Sequence, residues 1–140
     1  MVDVIKVSID EAILITGEIS AERAASVLLS MGPKLVVVTA GPKNVIYAHA
    51  LGLGSVQSFE VAQIIDTTGA GDAFWGAFLS RLSVWSSLEA FMTDIEEHIG
   101  FANAAAALCI GKRGAIPAMP YKEEIELFLN ERMQKNKKRA

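Results

Sequence analysis

The chain has 140 residues, of which 51% are hydrophobic and 21% charged, with a formal net charge of −3 at pH 7. The length predicts one domain with a substantial apolar core, and the acidic balance gives no electrostatic support for nucleic-acid binding. The lone cysteine, Cys109, excludes an internal disulfide and suits a reducing compartment. The sequence shows no charged-then-apolar leader and no apolar stretch that could span a bilayer. These features favour a cytoplasmic protein without a membrane partner.

The N-terminal residues combine a strand signal with a helix signal. Residues 2–7 form a short apolar run, which predicts a buried strand. Ser8 and Glu11 have the spacing of a capping box, with Ser at the N-cap and Glu at the third helical position. The sequence therefore predicts a helix that begins after Ser8 and ends at Gly17.

A second helix and a hairpin follow. Ser20 is a good N-cap for a helix over residues 21–31. The β-branched run Leu35–Thr39 is typical of a strand buried on both faces. Residues 41–44 have turn composition, so residues 45–49 are predicted to return as the second strand of a hairpin.

The remaining chain is predicted to be mainly helical. Residues 59–65 are predicted to form a further strand, which leads into a glycine-rich segment. The alternation of strands and helices indicates an α/β fold with a largely parallel sheet. The predicted helices cover residues 73–82, 87–98, 101–108 and 121–133, with a loop over residues 112–117.

The glycine-rich segment, residues 65–74, reads Ile-Asp-Thr-Thr-Gly-Ala-Gly-Asp-Ala-Phe. A helix that begins at Ala73 would place free N–H groups and its positive dipole end at residues 69–72, which favours anions and phosphate above all. An acid, Asp72, lies inside that anion site, where it could accept a proton from an attacking hydroxyl. The alternative is structural, because Asp is also among the best N-cap residues.

The segment that ends in Asp72-Ala73-Phe74 resembles the C-terminal signature of the ribokinase–fructokinase (PfkB-type) family of carbohydrate kinases. The resemblance implies a ribokinase-like three-layer α/β/α fold and transfer of the ATP γ-phosphoryl group to a sugar hydroxyl, with Mg²⁺. It implies that Asp72 is the catalytic base. It also implies that the amides of Gly69, Ala70 and Gly71 form an anion hole.

The resemblance extends to residues that would contact the nucleotide. The segment from Thr39 to Asn44 resembles the family's Thr-x-Gly-x-x-Gly nucleotide turn, in which Thr39 and Gly41 would lie against ATP. Asn44 replaces the last Gly, and Asn tolerates the left-handed conformation better than most residues. Asn103 occupies the position nearest the adenine. The alternatives are an ordinary hairpin turn and a buried packing helix.

Two sets of metal ligands are also implied. Glu11 would help to organise Mg²⁺ through water, although the capping box already explains it, and Ser8 resembles the fructokinase branch. A monovalent cation such as K⁺ would lie beside the anion hole, where Ala118 removes a hydroxyl found in some members. Asp66 could instead simply hydrogen-bond the following turn. The implied ligands of this cation are Asp66, Thr68, Cys109, Lys112 and Gly114.

Other classes of function stay open. Gly69 and Gly71 begin a dinucleotide-binding pattern, but its third glycine is Phe74. A nucleotide-binding or partner-completing module without catalysis is a further alternative. We expect residues 1–140 to be one ATP-binding and catalytic region, the C-terminal half of a sugar kinase, without the sugar-binding and lid part. Such a fragment would be inactive alone, would favour fructose by family likeness, and could form a homo-oligomer or associate through exposed strand edges.

Overall fold

A computed structural model of the chain describes residues 2–140. The chain forms two compact units, Met1–Ser58 and Phe59–Ala140. Among residues 2–140, no helix is both long and apolar enough to cross a membrane.

The first unit is built on a four-stranded sheet. Its strands are β1 (Val4–Ser8), β2 (Leu35–Thr39), β3 (Asn44–His49) and β4 (Gly52–Gln57), in the spatial order β1-β2-β3-β4. β1 and β2 are parallel, whereas β2 with β3 and β3 with β4 are antiparallel. The predicted α/β character is confirmed, but the expectation of a largely parallel sheet is wrong for these strands. Short turns join β2 to β3 and β3 to β4, and such turns connect only antiparallel neighbours.

The strand β4 has no counterpart in the prediction. It contains two glycines, Gly52 and Gly54, which have low strand propensity, and most of its residues are exposed. Gly54 pairs with Tyr47 across the antiparallel ladder. A Cβ atom at position 54 would overlap the phenol ring of Tyr47. The absence of a side chain at Gly54 therefore makes the room that the Tyr47 ring occupies.

Two helices pack on this sheet. The capping box predicted for Ser8 and Glu11 is confirmed at the start of α1 (Ile9–Thr16), and Gly17 caps its end. Ser20 caps α2 (Ala21–Ser30), as predicted. Residues Leu35 to Val38 are all buried, which confirms the prediction for β2. One core cluster of this unit consists of Ala12, Ala21, Ala24, Ala25, Leu28, Val36, Val38, Ile46 and Ala48.

The second unit is helical where it is regular. Its helices are α3 (Ala70–Leu82), α4 (Leu88–Thr93), α5 (Ile95–Ile110) and α6 (Lys122–Arg139). The predicted strand over residues 59–65 is wrong, since these residues adopt no regular structure. The segment is tied instead to the end of α5, where Ile110 O accepts hydrogen bonds from Ile65 N (2.9 Å) and Asp66 N (3.3 Å).

The boundary between α4 and α5 also differs from the prediction. The break lies at Asp94, which ends α4 and precedes α5, rather than between residues 98 and 101. Gly100 lies inside α5. A glycine costs a helix only about 1 kcal/mol relative to alanine, and the alanines that follow favour the helix.

α3, α4 and α5 pack through aromatic rings around one histidine. His98 is fully buried and stacks on Phe91, with 4.0 Å between ring centroids. Its Nδ1 accepts a hydrogen bond from Arg81 Nε at 3.2 Å. Its Nε2 has no partner within residues 2–140. Since an arginine Nε only donates, His98 must be neutral here, with its proton on Nε2.

Candidate active site

The helix that follows the glycine turn begins at Ala70, three residues earlier than predicted, and this changes the role available to Asp72. Gly69 is the N-cap of α3, with a φ of 83° that favours glycine. Asp72 is therefore the third helical residue, and no side chain caps the helix. The structural alternative, in which Asp72 is the N-cap, is wrong. The Asp72 carboxylate is exposed and makes no hydrogen bond or ion pair within residues 2–140.

The backbone amides at the start of α3 are only partly used. Ala70 N donates to Thr67 O at 3.3 Å, and Ala73 N donates to Gly69 O at 2.8 Å. Gly71 N and Asp72 N have no acceptor in the described part of the chain. Unused N–H groups at a helix N-terminus are the usual basis of an anion site, so the local geometry agrees with the predicted one.

Gly69 is also a point of close approach. A Cβ atom placed on it would lie 2.8 Å from Ala115 Cβ and 3.0 Å from Ala115 Cα. Glycine is therefore required here both for its conformation and for space. Ala115 itself was not predicted as part of the site, because a contact between two such small residues leaves no pattern in the sequence.

Asp66 holds the turn from the other side. Its Oδ1 accepts a hydrogen bond from Thr68 N at 2.9 Å, which confirms the structural alternative proposed for this residue. Its Oδ2 accepts another from Gly114 N at 3.1 Å, a contact that the sequence did not predict. The hydrogen bonds from Thr68, followed by that from Gly114, hold the pKa of Asp66 below its ordinary value.

The other residues implied as monovalent-cation ligands lie in the same network. Cys109 Sγ donates to Thr68 O at 3.8 Å, and Lys112 N donates to Cys109 O at 3.1 Å. Burial is the main cause that raises the pKa of the Cys109 thiol, and the nearby negative charge of Asp66 raises it further. Within residues 2–140, no group of three or more His, Cys, Asp or Glu side chains could hold a metal. A cation here would depend on backbone carbonyls, and the site stays a prediction.

A charged contact that was not predicted joins the loop that begins at Lys112 to the start of α6. Glu124, in the first turn of α6, accepts a hydrogen bond from Lys112 Nζ at 2.9 Å through one oxygen. Its other oxygen accepts one from Tyr121 N at 2.7 Å. A glutamate three residues after the N-cap is a recognisable sequence signal of such a contact with the backbone. The pairing of Glu124 with Lys112 has no comparable signal in the sequence.

A groove extends from Asp72 along α3. Its volume is about 360 Å³, and its walls come from α3, α5 and the start of α6. After Asp72, the residues of α3 that line the groove include three with small or no side chains, Ala73, Gly76 and Ala77. Asp72 thus lies at an accessible recess rather than on a flat surface.

The predicted nucleotide turn belongs to the first unit. Gly41 has a φ of 61°, as a tight turn requires, and Thr39 Oγ1 donates to Val7 O at 3.4 Å. Asn44 is the first residue of β3, pairs with Gln57 and does not have a positive φ. The expectation that Asn44 can replace the last glycine of the turn because it adopts a left-handed conformation is therefore wrong, since a residue in a strand needs no such conformation.

Glu11 has a complete structural explanation and a free oxygen. Its Oε2 accepts from Ser8 N at 2.7 Å, while Glu11 N donates to Ser8 Oγ at 3.2 Å. The hydrogen bond from the Ser8 backbone is the main reason that the pKa of Glu11 is lowered. Because Oε1 lies outside the capping box and the residue is exposed, a water-mediated Mg²⁺ role stays a prediction.

Asn103 is less accessible than the other predicted nucleotide contacts, Thr39, Gly41 and Asn44. It lies in the middle of α5 and is only 5% exposed. A contact between its amide and an adenine ring would have to reach into the packed part of the helix. The contact stays a prediction.

The chain belongs to the pfkB family of carbohydrate kinases, because the family model matches residues 1–122. This membership agrees with the exposed acid and unused amides that follow the glycine turn. It also displaces the dinucleotide-binding alternative, which lacked its third glycine.

Its relatives include plant fructokinases. The chain is 42% identical to fructokinase-2 of Zea mays over 119 residues, which cover 84% of this chain and 35% of that protein. It is 38% identical to probable fructokinase-4 of Arabidopsis thaliana over 129 residues, 91% of this chain and 39% of that protein. The chain thus spans somewhat more than a third of the length of these relatives.

Solved structures show the same fold. Fructokinase from Vibrio cholerae O395, with fructose, ADP and calcium ion bound, matches with a TM-score of 0.82 and 36% identity, over 91% of this chain and 41% of that one. A putative ribokinase II from E. coli, in complex with ATP and Mg²⁺, matches with a TM-score of 0.78 and 31% identity, over 92% and 39%. The ribokinase-like α/β fold predicted from the sequence is confirmed.

Proposed function

We propose that this chain is the ATP-binding and catalytic part of a sugar kinase and corresponds to the C-terminal portion of a family-length protein. The reaction is transfer of the γ-phosphoryl group of ATP to a sugar hydroxyl. Fructose is the favoured sugar, in view of the similarity to plant fructokinases and the fructose bound to the Vibrio cholerae enzyme. We place the protein in the cytoplasm, although one relative, probable fructokinase-6 of Arabidopsis thaliana, is described as chloroplastic.

The observation that carries this proposal is the position of Asp72. It stands in the first turn of α3, beside two unused amides, and serves neither as a helix cap nor as an ion-pair partner within residues 2–140. An exposed carboxylate near an anion site repels the anion, so a role in the reaction is needed to explain its position there. We infer that it accepts the proton of the sugar hydroxyl during attack.

The surrounding residues have supporting roles. We infer that N–H groups of the glycine turn, at Gly69, Ala70 and Gly71, stabilise charge on the transferring group. Because Ala70 N already donates to Thr67 O, the strongest contribution is expected from Gly71, with Asp72 N beside it. Thr39, Gly41, Asn44 and Asn103 are the proposed ATP contacts. Bound Mg²⁺ would neutralise phosphate charge, and Glu11 would hold a water molecule of its coordination shell. The proposed ligands of the monovalent cation are Asp66, Thr68, Cys109, Lys112 and Gly114.

Replacing Asp72 tests the proposed base. We would graft this chain into Zea mays fructokinase-2 in place of the matching segment and assay ADP release with fructose. Asp72→Asn should lower kcat by about 10²–10⁴-fold, the usual contribution of general-base catalysis, while ATP binding is kept.

The matched control is Asp10→Asn, which removes a carboxylate from the first turn of a different helix, α1. It should leave kcat within about twofold of the parent graft, as expected for a surface acid outside the reaction. Full activity of Asp72→Asn would contradict the assignment of the base. An inactive parent graft would contradict the proposal that this chain can serve as the catalytic part.

A nucleotide-binding or partner-completing module without catalysis is the second candidate. Isothermal titration of the isolated chain separates the candidates from the dinucleotide alternative. ATP or ADP should bind more tightly than NAD. Tighter binding of NAD would contradict both candidates. Self-association through strand edges can be checked on the same sample by sedimentation.

A further inference from the structure

One carboxylate holds both ends of the segment formed by residues 112–121. Glu124 accepts a hydrogen bond from Lys112 Nζ (2.9 Å) at the start of the segment and from Tyr121 N (2.7 Å) at its end. Both bonds are charge-assisted, and such bonds are stronger than neutral ones. Fixing the two ends of a loop reduces the number of conformations that its middle can adopt.

The middle of this segment contacts the glycine turn. Gly114 N donates to Asp66, whose other oxygen holds Thr68 N. Ala115 lies against Gly69 so closely that no side chain fits between them. Further along, Ala118 is buried in a cluster with Ala73 of α3. The conformation of residues 112–121 therefore sets one wall of the turn that begins α3.

We propose that Glu124 is a positioning residue for the anion site, because it keeps residues 112–121 seated against Asp66 and Gly69 and thereby fixes the amides of Gly71 and Asp72. This inference rests on the proposed function of the glycine turn. In this proposal Glu124 contacts neither the phosphate nor the reacting atoms.

The exposure of the ion pair between Lys112 and Glu124 indicates that its role is to position the loop rather than to stabilise the whole fold. The side chains of Lys112 and Glu124 are about equally accessible, at 42% and 40%. Ion pairs this exposed contribute little to global stability. Loss of the pair should loosen residues 112–121 and the glycine turn while the chain stays folded.

Amide hydrogen exchange measured by NMR on the full 140-residue chain tests the inference. In Glu124→Ala, the amides of Thr68 and Gly114 should exchange about tenfold faster or more, as expected when a local opening becomes easier. Glu124→Gln, which keeps an acceptor for Tyr121 N but loses the charge, should show a smaller increase. The control, Glu126→Gln, removes the neighbouring pair with Lys122 in the same helix and should change neither amide.

Inorganic phosphate provides the functional arm of the experiment. In the unaltered chain it should shift the amide resonances of Gly71 and Asp72, and in Glu124→Ala its apparent affinity should fall several-fold, with Glu126→Gln unchanged. Unchanged exchange at Thr68 and Gly114 would overturn the inference. So would faster exchange with unaltered phosphate affinity. If phosphate shifts no amide of the turn in the unaltered chain, the proposed function fails, and the exchange data alone then show whether Glu124 holds the loop.

Discussion

At the scale of single residues, His98 is predicted to make stability depend on pH. Burial, and then the positive charge of Arg81, lower the pKa of His98 below its ordinary 6.5, although Glu97 and Asp94 oppose the shift. Since the unfolded chain takes up this proton more readily, the contribution to stability is complete above about pH 6.5 and is lost as pH falls through the lower folded pKa.

Chemical denaturation between pH 8 and pH 5 measures this effect. The unaltered chain should lose stability on acidification across this window. His98→Phe keeps a ring against Phe91 and removes the titrating group and the unpartnered Nε2, so its stability should vary less with pH. An equally steep loss in His98→Phe would contradict the prediction and assign the pH dependence to other groups.

Asp72 and Glu124 show what residue-level reasoning from the sequence can and cannot find. Asp72 was identified because an acid within an anion-binding motif is chemically unusual. Its freedom from capping was not predictable, because it depends on whether the helix begins at Ala70 or at Ala73. The pairing of Glu124 with Lys112 joins residues from different elements through long side chains, and no spacing in the sequence indicates it.

At the scale of elements, the start of α3 depends on Gly69. Gly69→Ala should destabilise the chain by about 1–3 kcal/mol, the usual cost of a left-handed non-glycine residue, and the clash with Ala115 adds to this. Gly76→Ala in the same helix is the control, because a Cβ there meets nothing within 4 Å. It should stabilise by about 1 kcal/mol. Urea denaturation of both variants decides, and equal effects would contradict the argument.

Elements with local end signals were predicted well, whereas those defined by a partner were not. α1 and α2 begin at capping residues, and their starts were predicted correctly. Residues 59–65 have strand-like composition but find no neighbouring strand. β4 is the reverse case, because its pairing with β3 outweighs a glycine-containing sequence. Strand formation depends on long-range pairing, which a single sequence does not reveal.

At the scale of the whole molecule, we predict that the 140-residue chain alone phosphorylates no sugar measurably. It spans 35% of Zea mays fructokinase-2, and the residues that would position the acceptor and exclude water are expected to lie elsewhere in a family-length protein. Those two effects supply much of the rate in such reactions. The chain would be incubated with ATP, Mg²⁺, K⁺ and fructose, ribose or glucose, and sugar phosphates sought by mass spectrometry.

The active parent graft in Zea mays fructokinase-2 serves as the positive control for this assay. Turnover by the isolated chain on the order of 1 s⁻¹ or more, the usual enzymatic range, would show that the acceptor site lies within these residues. The assignment of the chain to the catalytic portion alone would then be wrong.

The pairing of Tyr47 with Gly54 has a consequence for how this sequence can vary. The two positions share one side-chain volume, so a larger residue at 54 requires either that the Tyr47 ring moves or that position 47 becomes smaller. Gly54→Val and Tyr47→Ala should each destabilise the chain, and the double variant should lose less than the sum of the two. The residue at either position therefore limits the substitutions that the fold tolerates at the other position.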